Sequence, residues 1–381
     1  MKIKFAKPII GKKEINNVIQ TLKTGILVHG KKTKIFEKNM SKFFNSRKYS
    51  VTTASSCTAA MHLFYFVKKI KKNDEIICPA QSHVATAHAI ELAGGKPVFV
   101  DSNDHDGNID INLIEKSITK KTVGISLTHF LGKPVQMDKL MKIANKYSLF
   151  VVEDCALALG SKINNQHVGT FGDIGAFSFH PVKLITTAEG GAIICKNKKI
   201  FNLIESAKAF GYDISDPNKR IKGSYNVNYL GFNYRMNEIE ASIGIEQLKK
   251  INLFLNKRKK NYNFLYNKLK KLDSIKILDT GSRKGIESSY YALTILCKSK
   301  LMRDKYILKL KSAGIGTSIY YPHPIPALNY YKNKYKLKSA KFPNACEISY
   351  KGICLPVGPH LGFSDMSFIF NSLQKIINEK I

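Results

Sequence analysis

A single lysine, Lys183, stands between two apolar, β-rich segments at residues 174–179 and 192–195. Burial between strands lowers the pKa of an amine, and a neutral amine can attack a carbonyl group. Upstream, an apolar run over residues 148–152 ends in Glu153 and Asp154. The acids therefore stand at the carboxyl end of a predicted parallel strand, where open α/β sheets bind ligands. A lysine that can form a Schiff base and an aspartate that can pair with a pyridinium nitrogen are the groups that pyridoxal phosphate (PLP) requires.

Strands alternate with helices around this stretch, which predicts a mostly parallel sheet with right-handed crossovers. The predicted strands cover residues 49–54, 75–78, 97–100, 123–127 and 149–152, and predicted helices include 111–118 and 137–147. A polar loop at 213–223 and a lysine-rich helix at 250–272 lead to a second α/β set, with strands at 290–296 and 317–321. We therefore expect a large domain with an N-terminal arm, residues 1–250, and a smaller C-terminal domain, residues 251–381.

Three segments carry a family resemblance: EDCALALGS from residue 153, GDIGAFSFHPVK from residue 172 and TTAEGG from residue 186. They closely resemble the DegT/DnrJ-type (StrS-like) nucleotide-sugar aminotransferases, and the resemblance continues over nearly the whole chain. It implies the α/β fold of the fold-type I PLP-dependent transferases, with a mostly parallel central sheet and a smaller C-terminal α/β domain. It also implies that Lys183 carries the cofactor and that Asp154 pairs with its ring nitrogen.

The cofactor's phosphate has two predicted contacts. Residues 55–60 open a helix after a strand, and small hydroxyl residues there serve equally as a helix cap or as part of an anion site. Their resemblance to the family's Ser-x-Thr-Ala turn implies phosphate binding by Thr58 and the Ala59 amide. Ser178 resembles the family serine that binds the same phosphate, although an ordinary strand hydroxyl is the alternative.

Two positions near the cofactor depart from the family pattern. His83 stands where relatives usually carry an aromatic residue that stacks on the pyridine ring, so we expect stacking, with core packing or helix capping as the alternatives. Leu157 stands where relatives usually have histidine or glutamine near the ring oxygen. We hypothesise that His83 compensates for Leu157.

Asn233 and Arg235 lie in a segment that resembles the family's Gly-x-Asn-x-Arg motif. The resemblance implies that Asn233 reaches the cofactor phosphate of the neighbouring subunit, so that a homodimer shares its active sites. A turn role for Asn233 and a helix-end ion pair for Arg235 are the alternatives.

Five residues are candidates for the substrate pocket, and each has a structural alternative. His29 lies in a loop and His180 lies two residues from Ser178, so solvent or the core are their alternative surroundings. Tyr321 and His323 stand between prolines, which also favour a plain turn. The fifth candidate is Arg235. His129 follows a predicted strand and is left unassigned between a place at the cleft and a structural hydrogen bond.

The composition limits which partners, membrane segments and metal sites the protein is expected to have. The 381 residues carry a formal net charge of +33, which indicates either a polyanion or membrane-surface partner or a general preference for lysine that also attracts an anionic substrate. The lysines are scattered, so we expect no nucleic-acid partner. No apolar run reaches membrane-span length, no signal peptide is visible, and no metal-spaced His/Cys cluster occurs. Seven cysteines without a CxxC pair indicate reduced thiols in the cytoplasm.

These observations predict a PLP-dependent aminotransferase that converts a nucleotide-linked keto sugar to an amino sugar with L-glutamate, for surface polysaccharide or glycan biosynthesis. HP before Lys183 and TTAEGG after it look most like relatives that aminate a 4-keto-6-deoxy hexose, and the Asn-Leu-Gly run of 3-position enzymes is absent. A PLP-dependent sugar dehydratase is one alternative, although such relatives carry histidine in place of the lysine. A non-catalytic regulator or nucleic-acid-binding protein on the same scaffold is the other.

Overall fold

The computed structural model describes residues 2–44, 48–213 and 223–379. The α-helices are α1 (Lys12–Lys23), α2 (Lys31–Phe43), α3 (Cys57–Val67), α4 (Val84–Leu92), α5 (Ile111–Ile114), α6 (Met137–Lys146), α7 (Lys198–Ala207), α8 (Glu238–Leu248), α9 (Ile251–Leu269), α10 (Lys300–Ser312), α11 (Asn329–Tyr335), α12 (Pro343–Lys351) and α13 (Phe363–Asn378). The strands are β1 (Ser50–Ala54), β2 (Glu75–Pro79), β3 (Lys96–Val100), β4 (Thr122–Thr128), β5 (Phe150–Asp154), β6 (Lys162–Ile163), β7 (Gln166–His167), β8 (Ile174–Ser178), β9 (Gly191–Cys195), β10 (Lys276–Ile277), β11 (Ile286–Glu287), β12 (Leu293–Leu296) and β13 (Gly352–Leu355).

A seven-stranded sheet with the order β1-β9-β8-β5-β4-β2-β3 forms the centre of the protein. Strands β8, β5, β4, β2 and β3 pair in parallel, whereas β9 is antiparallel to both of its neighbours. Every residue of β2, β5 and β9 is buried, as is typical of strands with both faces covered. The predicted fold class is therefore confirmed. The carboxyl ends of β5 and β8 bring Asp154 and Ser178 to one edge of the sheet.

Two glycines hold the start of α3 against β9. A Cβ atom on Gly191 would lie 2.4 Å from the backbone carbon of Ser56, which is closer than any side chain can approach. Gly190 has a φ of +148°, a conformation that L-residues rarely adopt. The glycine pair that follows Lys183 in sequence therefore lets β9 contact the N-terminus of α3, beside the site described below.

The C-terminal part adds an antiparallel sheet with the order β10-β12-β13. It packs with α9, α10 and α13 around a core that includes Leu265, Leu310 and Leu373. The predicted boundary at residue 250 falls between α8 and α9. Because Tyr291 belongs to the same hydrophobic core as Phe36, the two parts also pack against each other. The division into two domains remains a prediction.

The structure corrects two predicted elements. Residues 317–321 form no strand; a single bridge joins Ser318 to Cys354, and two prolines, Pro322 and Pro324, follow at once. The predicted helix at 111–118 is α5 followed by a short 3₁₀ turn. Of the predicted polar loop at 213–223, residues 214–222 lie outside the described ranges. Within the ranges described, no helix is both long and apolar enough to cross a membrane.

Candidate active site

Lys183 lies in a cavity of about 440 Å³ at the carboxyl ends of β5 and β8 and the N-terminus of α3. The cavity brings together seven residues that were selected from the sequence: Thr58, His83, Asp154, Ser178, His180, Lys183 and Tyr321. Sequence reasoning missed further lining residues, among them Ser56, Cys57, Ala156 and Tyr320. Each of these four lies within two positions of a selected residue, so their places beside the helix start, the strand end and Tyr321 were the available signal.

Asp154 ends β5 and points into the cavity within a network of donors. Its Oδ2 accepts a hydrogen bond from Thr86 Oγ1 at 2.8 Å, and its Oδ1 accepts one from the Ala156 amide at 3.0 Å. Thr86 is in turn bonded to Ser82, whose hydroxyl lies 2.7 Å from that of Thr128. This network fixes the orientation of the carboxylate.

The Lys183 side chain is half-buried and faces Asp154 across the cavity. Burial lowers the pKa of its ammonium group, and the negative charge of Asp154 opposes that shift in part. The net direction is downwards, so a larger share of the amine is neutral than for a lysine in water. This is the property that a carbonyl-attacking amine needs.

The start of α3 provides both the helix cap and a row of hydroxyls. Ser56 is the N-cap residue, and its Oγ accepts the Ala59 amide at 3.0 Å. The Ala59 amide, predicted to bind phosphate, is thus bonded within the cap. Thr58 lines the cavity. Cys57 lies between them, with its Sγ 3.9 Å from Asp154 Oδ1, and burial raises its pKa far above the ordinary thiol value.

His83 caps α4, which is one of the alternatives weighed above. Its Nδ1 accepts the Ala85 amide at 3.2 Å, while its exposed ring stands at the cavity wall 5.6 Å from the ring of Tyr321. Partial burial and the charge of Lys183 both lower its pKa, which favours the neutral ring. Leu157 is buried in the core and does not face the cavity.

Ser178 and His180 lie on the same wall as Lys183. The Ser178 hydroxyl accepts a long hydrogen bond, 3.5 Å, from the His180 amide. His180 Nδ1 accepts the Val182 amide at 3.4 Å. Both side chains therefore shape the short turn that precedes Lys183, and both line the cavity.

The remaining candidates lie elsewhere in the single chain. His29 and Arg235 line a separate cavity of about 280 Å³, where the Arg235 guanidinium lies 4.9 Å from the ring centre of Phe210 and its Nε and Nη1 have no hydrogen-bond partner. Asn233 is exposed. His323 is exposed beside Tyr350 and does not line the Lys183 cavity.

His129, Glu153 and Cys155 form a buried group whose potential ligand atoms lie within 4.8 Å of one another. Glu153 accepts the amides of Gly169, Phe171 and Gly172 and also contacts His129 Nε2 at 3.0 Å. Because His129 Nδ1 accepts the Val135 amide, its Nε2 carries the hydrogen and donates to Glu153. Both side chains are therefore already fully bonded, and the group is structural.

The Lys183 cavity fits PLP by its own chemistry. It offers an amine with a lowered pKa, a carboxylate held by two donors, and hydroxyls from Ser56, Thr58 and Ser178. A Cβ on Gly191 would push the start of α3 away from this wall.

Comparison with known proteins agrees with this geometry. A model of the DegT/DnrJ/EryC1/StrS aminotransferase family matches residues 8–374. The chain belongs to this family. It is 33% identical over 331 residues to GDP-perosamine synthase from Escherichia coli O157:H7, with 86% of each chain covered. It is 30% identical over 380 residues to a UDP-4-amino-4,6-dideoxy-N-acetyl-beta-L-altrosamine transaminase from Campylobacter jejuni, covering 99% of this chain and 98% of the relative.

Solved structures give the same result for the fold and the cofactor. The putative sugar aminotransferase Spr1654 from Streptococcus pneumoniae, in its PMP form, superposes with a TM-score of 0.93, at 27% identity and with all of both chains covered. Its PLP form gives a TM-score of 0.92. The protein is therefore a PLP-dependent aminotransferase. The predicted family, enzyme class and cofactor are confirmed.

Proposed function

We propose that the protein transfers an amino group from L-glutamate to a nucleotide-linked keto sugar in the biosynthesis of a surface polysaccharide or another glycan. The observation that carries the proposal is the pairing of Lys183 with Asp154 in one cavity of about 440 Å³. The names of the relatives from E. coli and C. jejuni, a GDP-perosamine synthase and a UDP-sugar transaminase, support the substrate class.

PLP, when bound, supplies an aldehyde that condenses with amines and a ring that accepts electrons. The residues in the cavity have distinct roles toward it. Asp154, held by Thr86 and Ala156, would hold the pyridine nitrogen and keep it protonated. Thr58 and Ser178 would hold the phosphate, and His83 would lie against the ring.

Lys183 provides the mobile base. Its lowered pKa leaves Nζ free to accept a proton from the α-carbon of L-glutamate and to deliver it again later in the cycle. A base works best when its pKa lies near the working pH, and burial moves this lysine in that direction. His180 and Tyr321, which line the cavity, would contact the sugar.

A 4-keto-6-deoxy hexose is the proposed sugar. The HP and TTAEGG motifs around Lys183 support it, and the C. jejuni relative is named for a 4-amino-4,6-dideoxy sugar. The nucleotide would lie at the cavity mouth, where the net charge of +33 attracts its phosphates.

The proposed active enzyme is a homodimer with shared sites. The exposed face of α1 carries Ile15, Ile19 and Leu22, each 42–51% exposed, which is unusual for three large apolar side chains on one helix. Beside this face, an apolar groove is lined by Pro181 and Ala188, which flank the Lys183 turn. A second copy that covers this face would bring its own surface close to the Lys183 cavity.

Two surfaces of each subunit are proposed to contribute to the partner's active site. They are Asn233 and the cavity lined by His29 and Arg235. Asn233 is exposed in the single chain, and two Arg235 nitrogens lack partners. Asn233 would reach the partner's cofactor phosphate, and Arg235 and His29 would approach the partner's substrate. The enzyme is proposed to act in the cytoplasm, because its seven cysteines, all in described positions, form no disulfide.

Incubation of the PLP-loaded enzyme with L-glutamate and a panel of 3-keto and 4-keto nucleotide sugars tests the function. The expected product is the 4-amino sugar, identified by mass and NMR, together with 2-oxoglutarate. Preferred amination of a 3-keto isomer would overturn the ring position. Loss of a sugar hydroxyl without gain of an amine would indicate the dehydratase alternative, and no reaction with any sugar would favour the non-catalytic one.

A further inference from the structure

Tyr291, a buried residue of the C-terminal part, contacts the turn that carries Lys183. Its hydroxyl lies 3.0 Å from the carbonyl oxygen of Val182, the residue directly before Lys183. It also lies 2.6 Å from the hydroxyl of Tyr320, which lines the Lys183 cavity. One phenol therefore links the backbone of the turn that carries Lys183 to another residue of the cavity wall.

The direction of these two hydrogen bonds follows from their chemistry. A carbonyl oxygen only accepts, so the Tyr291 hydroxyl must donate to Val182, and the Tyr320 hydroxyl must then donate to Tyr291. Burial raises the pKa of Tyr291 to about 12 and that of Tyr320 still further above the ordinary value. Both phenols therefore keep their protons, and the chain of donors persists at neutral pH.

Tyr291 is itself fixed by contacts with neighbouring side chains. Arg258 donates from Nη1 to the Tyr291 carbonyl at 2.8 Å, and its guanidinium lies 5.5 Å from the ring centre. The rings of Tyr291 and Tyr320 pack edge to face at 5.3 Å. Gln81 fixes Tyr320 through a 2.9 Å bond to its carbonyl. The donor that reaches Val182 is thus anchored in packed structure.

The turn's own hydrogen bonds are local. The Lys183 amide donates to the His180 carbonyl at 2.9 Å, and the Val182 amide makes the long bond to His180 described above. These bonds close the turn but do not tie it to another part of the fold. The bond from Tyr291 does so, across 109 residues of sequence.

We propose that Tyr291 is a positioning residue that holds the Val182–Lys183 peptide so that Lys183 Nζ meets the cofactor's aldehyde. The inference rests on the proposed role of Lys183 as the attachment residue. Through this hydrogen bond the C-terminal part of the chain sets the position of Lys183, although Tyr291 itself does not line the cavity.

Tyr291→Phe tests this, because it keeps the ring packing and removes only the donor. PLP affinity is measured in two backgrounds: the otherwise wild-type enzyme, where covalent attachment contributes, and Lys183→Ala, where binding is noncovalent. One lost hydrogen bond should weaken wild-type PLP binding about two- to tenfold. It should lower the share of cofactor that borohydride traps by a similar factor. In the Lys183→Ala background the affinity should be unchanged.

Tyr262→Phe is the matched control. Tyr262 is a buried tyrosine of the same part of the chain whose hydroxyl bonds Thr280 at 3.2 Å, away from Lys183, so its loss should leave trapping unchanged. Equal weakening of PLP binding in both backgrounds would make Tyr291 merely structural, and unchanged trapping in Tyr291→Phe would also overturn the proposal. If Tyr291→Phe is insoluble, Tyr320→Phe removes the outer donor and must lower trapping by a smaller factor.

The outcomes also separate this inference from the proposed function. If borohydride traps PLP on Lys183 but Tyr291→Phe changes nothing, only the positioning role fails. If PLP is trapped on another lysine, the assignment of Lys183 fails first.

Discussion

Glu153→Gln replaces one buried oxygen by an amide nitrogen in the structural group behind the active site. Glu153 is fully buried, and its two oxygens accept two hydrogen bonds each. Oε1 accepts the amides of Phe171 and Gly172, whereas Oε2 accepts the amide of Gly169 and the Nε2 hydrogen of His129. The glutamine NH₂ group is itself a donor. Whichever oxygen it replaces, it faces two N–H donors and leaves both without an acceptor.

The expected loss of unfolding free energy follows from the number of buried donors that are left without an acceptor. A change of tautomer in His129 gives no escape, because its Nδ1 must remain an acceptor for the Val135 amide. Each buried donor without a partner costs about 1–3 kcal/mol, so the substitution should cost about 2–6 kcal/mol of unfolding free energy. That is a large share of the ~5–15 kcal/mol typical of folded proteins.

Urea denaturation of the cofactor-free protein at one protein concentration measures this cost as a shift of the midpoint at unchanged slope. Glu287→Gln, the same change at an exposed position, is the control and should stay within about 0.5 kcal/mol of wild type. A loss below about 1 kcal/mol for Glu153→Gln would refute the hydrogen-bond assignment around this carboxylate.

The other predictions concern the pH response of Lys183 and the sharing of the site. In cofactor-free enzyme, the pH profile of Lys183 acetylation by trace acetic anhydride, read by peptide mass, should have its midpoint below pH 10.5, because burial lowers the pKa from that value and only the neutral amine reacts. Asp154→Asn removes a charge that raises this pKa, so the midpoint should move to lower pH, and a move to higher pH would contradict the electrostatics. Mixing inactive Lys183→Ala and Asn233→Ala subunits should restore about a quarter of wild-type activity, because half the dimers then hold one complete site. No recovery after verified subunit exchange would place Asn233 in its own chain's site or in a structural role.

The sheet and the centre of the site could be predicted because local patterns specify them. Apolar runs alternating with helical periodicity predict parallel strands, and parallel strands place Asp154 and Ser178 at one edge. The glycine pair after Lys183 is typical of a close backbone approach, and the structure shows which one, the contact of Gly191 with Ser56.

The rest depends on contacts between distant segments, which one sequence does not reveal. Tyr291 is 108 positions from Lys183 in the chain, and nothing in its neighbourhood marks it as a partner of the lysine turn. Residues 317–321 have strand-like composition, yet the prolines that follow end the segment and Tyr320 and Tyr321 line the cavity instead. His29 and Arg235 line a cavity separate from that of Lys183, so the fold of the single chain does not bring them to the site for which the sequence selected them.

Borohydride reduction of the PLP-loaded enzyme, followed by peptide mass mapping, tests the central claim that Lys183 carries the cofactor. The account predicts a pyridoxyl phosphate group on the peptide that contains Lys183 and none trapped in Lys183→Ala, which should also lose transamination. A trapped group on a different lysine, or Lys183→Ala that still traps PLP and turns over, would contradict it.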